Sequence, residues 1–132
     1  MQHSSHLPLM LAALLLSACA HQPRNVALQE DTQGDCPLQL DQGQRLDISL
    51  PSNPSTGFRW EVVKAAPKVL HSLGPEVYSN PEDVGLVGAA GRSTWHFQAT
   101  ETGEDELLLQ YRRPWEQGVA PANSFACVIS VE

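Results

Sequence analysis

From Cys36 onward, apolar side chains recur at every second position, and this period constrains the fold more than any other feature of the chain. "CPLQL" alternates at Cys36, Leu38 and Leu40, and "RLDISL" at Leu46, Ile48 and Leu50. "FRWEV" does so at Phe58, Trp60 and Val62, and "TWHFQA" at Trp95, Phe97 and Ala99. "LLLQY" carries Leu107, Leu109 and Tyr111 on one face, and "FACVISV" carries Phe125, Cys127, Ile129 and Val131. Such alternation marks half-buried antiparallel strands with one face in the core and one in water. With a weaker strand at Val77-Tyr78 and turn residues between the segments, the pattern predicts an all-β, immunoglobulin-like antiparallel β-sandwich of about seven strands. Trp60 and Trp95 fall on the inward parity, and His96 on the outward one. Helix signals are thin: "VVKAAPKVLHSL" has room for one turn before Pro67 interrupts it.

The first residues have a different character. Residues 7–16, "LPLMLAALLL", form an apolar run too short to span a bilayer but suited to the hydrophobic region of a signal peptide. "LSAC", ending at Cys19, resembles the lipobox of bacterial lipoproteins, in which the cysteine carries the lipid and becomes the mature N-terminus. The n-region "MQHSSH" departs from that pattern, with His3 and His6 but no Lys or Arg. The alternative is an ordinary cleaved signal peptide that leaves Cys19 as a free thiol. The expected organisation is a lipoprotein signal peptide at 1–18, a flexible polar tether at 19–35 and the sandwich at 36–132. The expected location is the bacterial envelope, as an outer-membrane lipoprotein facing the periplasm, with the lipid as the only membrane contact.

Export bears on the remaining cysteines, because thiols oxidise outside the cytoplasm. Cys36 and Cys127 lie near the two ends of the sandwich, both on inward parity, and are expected to form a disulfide. A loop of that size gives about 4–5 kcal/mol in the chain-entropy model. Two buried free thiols are the alternative. The formal charge of −7 comes without a basic cluster, which disfavours nucleic acid and anionic membrane surfaces as partners. No nucleophile-base-orienter set is evident, since His71 and His96 are the only histidines of the sandwich and neither sits in such a motif. Catalysis is therefore not expected. Nor is a metal or other cofactor: His3 and His6 leave with the signal peptide, and His21 lies in the tether.

Three connections stand out. "NPSTG" (Asn53 to Gly57) joins two prolines, Pro51 and Pro54, to a glycine, which makes a stiff, uncharged, protruding loop. "NPEDVGLVGAAGRS" (Asn80 to Ser93) is long and rich in small residues, and "RRPWEQGVAPAN" (Arg112 to Asn123) leaves a strand through Arg-Pro-Trp. In an immunoglobulin-like order they join strands B to C, D to E and F to G, and all three can share one end of the sandwich. Trp115, exposed on such a loop, is a candidate binding anchor.

Together these loops resemble those of the chagasin family of cysteine-protease inhibitors, which show Asn-Pro-Thr-Thr-Gly-Tyr/Phe, Gly-x-Gly-Gly and Arg-Pro-Trp in that order. The corresponding residues are Asn53, Pro54, Ser55, Thr56, Gly57 and Phe58; Gly88, Ala89, Ala90 and Gly91; and Arg113, Pro114 and Trp115. The resemblance covers roughly Cys36 to Glu132. It implies a monomeric, reversible inhibitor of papain-like cysteine proteases that occludes the active-site cleft with three loops. Ser55 and Thr56 would meet the catalytic centre, Gly88 to Gly91 would lie along the non-primed side, and Trp115 would pack on the primed side, directed by Arg113 and Pro114. Two departures bear on affinity: Ser55 lacks the methyl of the family threonine, and Ala90 stands where the family usually has glycine. A different class of function, an envelope-anchored module that binds a peptide, a glycan or an envelope protein without inhibiting anything, shares the same loops.

Overall fold

The computed structural model describes residues 24–80 and 91–132, which form two packed β-sheets. Among the described residues there are nine strands: β1 (Asn25–Gln29), β2 (Leu38–Leu40), β3 (Arg45–Ser52), β4 (Arg59–Ala65), β5 (Leu70–Ser72), β6 (Val77–Ser79), β7 (Gly91–Ala99), β8 (Gly103–Arg112) and β9 (Asn123–Val131). One sheet runs β1-β3-β7-β5, with β6 also paired to β7, and the other runs β2-β9-β8-β4. β5 and β6 pair with different stretches of β7, so together they make one broken edge.

Period-two burial does what the sequence anticipates. Leu46, Ile48 and Leu50 of β3 are buried, facing the same core as Leu107 and Leu109 of β8 and Phe125, Cys127, Ile129 and Val131 of β9. Trp60 and Trp95 meet edge to face in that core, their centroids 6.5 Å apart. Cys36 and Cys127 form the expected disulfide, with Cα atoms 5.2 Å apart and a sequence separation of 91. The segment read as room for a single turn is one: the Ala66 carbonyl accepts from the amides of Val69 and Leu70.

Three expectations are corrected. The tether does not run to residue 35. Asn25–Gln29 is a strand, and residues Glu30–Asp35 form a 3-10 turn that delivers Cys36 to its partner. "NVALQ" alternates at Val26 and Leu28, but the run is too short to stand out from its polar surroundings. Leu28 is nevertheless 2% exposed. Arg92 secures this segment by donating to both carboxylate oxygens of Glu30, to Ser49 Oγ and to the Ser49 carbonyl. The hydrogen bonds from Arg92 hold the Glu30 carboxyl below its ordinary pKa.

The second correction concerns strand direction. β1 runs parallel to β3, and β2 parallel to β9, on the outer edges of an otherwise antiparallel structure. Antiparallel pairing follows from tight hairpins, and neither of these pairs is joined by one. The third concerns the 80–93 connection, since Gly91, Arg92 and Ser93 already belong to β7, paired with Ser52, Pro51 and Leu50.

If β1 is part of the folding unit, Leu28→Ala removes a buried side chain from the core and costs about 2–5 kcal/mol. Urea unfolding of residues 24–132 measures this, and an unchanged midpoint would return the segment to tether.

Candidate functional site

Strand register sets where the loops lie. Ser52, the last residue of β3, pairs with Gly91, the first of β7, while Ser79 at the end of β6 pairs with Arg92. In the other sheet Arg59 at the start of β4 pairs with Arg112 at the end of β8, and Tyr111 pairs with Asn123. The connections 53–58, 80–90 and 113–122 therefore all leave the same pole of the sandwich. Gly88, Ala89 and Ala90 lie outside the described residues.

The first loop is internally braced. Pro54–Thr56 forms a 3-10 turn, ended by Gly57 in the left-handed region with φ 83°. Ser55 Oγ donates to Asn53 Oδ1 at 2.5 Å, and Thr56 Oγ1 donates to the Asn53 carbonyl at 2.7 Å. The proline ring and these two bonds fix a loop that carries no charge of its own.

The Arg-Pro-Trp loop then locks onto the first. Arg113 Nε donates to the Thr56 carbonyl at 3.2 Å, and the guanidinium carbon lies 4.4 Å from the centroid of the Phe58 ring. Glu116 holds the other side of that guanidinium, 3.0 Å from Nη1. Beneath it Phe58 stacks on Tyr111 with centroids 5.2 Å apart, and Tyr111 lies 4.9 Å from Trp60 in the core. The Tyr111 hydroxyl also accepts from the Asn53 amide at 3.0 Å. A continuous stack thus runs from the core tryptophans to the loop surface.

The Trp115 indole lies directly over Gly57, where a Cβ would overlap its ring. The side chain is nevertheless 67% exposed, more than any other large apolar residue described. Pro54, Ser55 and Thr56 are exposed beside it. Gly91 has a different place from the one expected: it is buried, and a Cβ there would run into the Tyr78 hydroxyl and the Ser79 carbonyl. Glycine at 91 is needed for close packing of β6 on β7.

A model of the chagasin family of peptidase inhibitors (I42) matches residues 39–129. The chain belongs to that family. It is accordingly an inhibitor and not an enzyme. Chagasin of Trypanosoma cruzi is 36% identical over 76 residues, 55% of this chain and 68% of chagasin. Among solved structures, a cysteine protease inhibitor from Entamoeba histolytica superposes with a TM-score of 0.70 at 22% identity, covering 82% of this chain and 96% of that one. PbICP-C, solved in complex with falcipain-2, superposes with a TM-score of 0.52 at 18% identity, covering 82% and 89%. At such identities the two structures speak to the fold. The sandwich read from period-two alternation is that of this family.

Of the expected site residues, the structure brings together Asn53 to Phe58 and Arg113 to Trp115. Sequence reading missed Tyr111 as the strut between core and loop; it counted only as an inward strand position. Nor did it single out Glu116, which orients the arginine that joins two loops. The available hint was position, since both flank the Arg-Pro-Trp motif where β8 ends.

Gly57→Ala forces a side chain into the left-handed region and into the indole, a cost of about 1–2 kcal/mol for the backbone alone. The expected result is a lowered melting temperature and a changed Trp115 emission. Unaltered values for both would show that the loops do not pack this way.

Proposed function

We propose that this chain inhibits papain-like cysteine proteases reversibly, as a monomer, by filling the active-site cleft with the pole that carries Ser55, Thr56 and Trp115. The observation that carries the reading is the locking of Trp115 and Arg113 onto Gly57 and Thr56, which turns two loops into one body. A cleft lined with backbone and aromatic groups accepts an uncharged, narrow edge at little desolvation cost. Trp115 then supplies a large apolar surface at the point of contact, as interface anchors do. Because the loops are already braced, little conformational entropy is lost on binding, and an interface of about 1,600 Å² can be tight. Survival of the inhibitor follows if Ser55 and Thr56 approach the nucleophile without presenting a bond in attack geometry.

Support for the binding role of Gly88, Ala89, Ala90 and Gly91 comes from the motif order alone. Titration of papain tests the whole reading. Substoichiometric loss of activity with the domain uncut is expected, and Trp115→Ala should weaken inhibition by at least about 1–2 kcal/mol without changing the fold. Full papain activity at micromolar domain would favour the non-inhibitory module instead.

We further propose that the chain is an exported lipoprotein held to the bacterial outer membrane, on its periplasmic side, through Cys19. The support is the apolar run at 7–16 and the "LSAC" that follows. Mass spectrometry of the mature protein should show residues 19–132 carrying acyl groups. A mass equal to the unmodified chain would remove the anchor.

A further inference from the structure

Among the described residues, four of the eight Lys and Arg side chains of this acidic molecule pair with carboxylates: Arg45 with Asp47, Lys64 with Glu106, Arg92 with Glu30 and Arg113 with Glu116. Arg59 and Arg112 are different. They sit directly opposite each other at the loop end of β4 and β8, so two like charges face one another across a strand pair. Among the described residues neither has an acidic partner. Arg112 donates from Nη2 to Gln110 Oε1 at 2.8 Å, while its buried Nε has no partner among the described residues. The Arg59 side chain is exposed and, among the described residues, has no hydrogen-bond partner.

Both side chains line an open groove of about 560 Å³ whose other walls are Trp60, Glu61, Pro114 and the 116–118 segment. The groove is therefore continuous with the Arg-Pro-Trp loop. Its acidic members are Glu61 and Glu116, and Glu116 is already bonded to Arg113. Among the described residues that line it, two guanidinium groups without an acidic partner face one carboxylate without a basic one, on a molecule whose net charge is −7.

We propose that this groove is a second contact surface, which takes a carboxylate side chain from the rim of the target protease beside the cleft. Guanidinium groups suit that ligand because their donors match the two oxygens of a carboxylate. An arriving carboxylate would offset the like charges that face one another across this strand pair. The surface rests on the inhibitor reading and adds selectivity to it: proteases with an acidic rim next to the Trp115 side are preferred over those with a neutral or basic one.

The experiment measures inhibition constants of residues 24–132 against falcipain-2 and papain in 50 mM and 300 mM NaCl. The variants are Arg59→Gln, Arg112→Gln, Arg59→Lys and Trp115→Ala, each checked for an unchanged melting temperature. For at least one protease, the two glutamine variants should weaken inhibition threefold or more at the lower salt. That loss should shrink at the higher salt, because screening removes exposed electrostatic contacts. Arg59→Lys should recover part of it. Losses below threefold for both proteases, or losses that ignore salt, overturn the proposal while leaving the inhibitor reading intact. If the unaltered domain inhibits neither protease, the inhibitor reading falls and the groove proposal falls with it. Trp115→Ala separates the two surfaces, since its loss should not depend on salt.

Discussion

The structure depends on a single constraint, that the inner faces of two sheets must be apolar at every second residue and in register with each other. Leu46, Ile48 and Leu50 can be buried together only if β3 keeps its pairing with β7, and Leu107 and Leu109 only if β8 keeps its pairing with β9. A slip of one residue would turn every one of these side chains toward water. The same register determines that β3, β6 and β8 all stop at one level. A functional pole thus follows from core packing rather than from any property of the loops themselves.

On that platform, rigidity is passed outward by stacking. Trp60 is fixed against Trp95 and by its indole N–H, which donates to the Pro51 carbonyl at 2.8 Å. It supports Tyr111, which supports Phe58, which supports Arg113. Each step uses an aromatic face, so the loop gains a floor without burying charge. Arg113 is the turning point, because its guanidinium bonds backbone on one side and a carboxylate on the other. Isolated exposed ion pairs contribute little. Here the value of Glu116 is geometric, since it restricts the rotation of a side chain that spans two loops.

How much of this was legible in the sequence depended on the length of each pattern. The core strands repeat the alternation three or four times, and their inward residues could be named. β1 offers only Val26 and Leu28, too little to separate a strand from a tether, and its parallel partner lies well downstream. Gly91 illustrates a different limit. A glycine in a small-residue run reads as loop, whereas its actual reason is the Tyr78 side chain pressed against its Cα, a contact no local pattern reveals. The joining of two loops by Arg113 was hidden for the same reason, as Thr56 and Arg113 are distant in sequence.

The position of β1 also bears on how an anchored inhibitor would face its target. Asn25 pairs with Arg45 at the beginning of β3, whereas the loop pole begins after Ser52 at its end. The seven steps between them correspond to about 23 Å of extended strand. The chain therefore enters the sandwich at the pole opposite Trp115. Were the chain anchored at Cys19 as proposed, the stretch from there to Asn25 would reach about 20 Å at full extension, much less than a tether running to residue 35. Such an anchor, attached at the far pole, would favour orientations in which the anchor end faces the bilayer and the loops face away. Burial of Leu28 places the entry of the chain at that far pole, so an anchor at Cys19 would leave the loop pole open to an approaching protease.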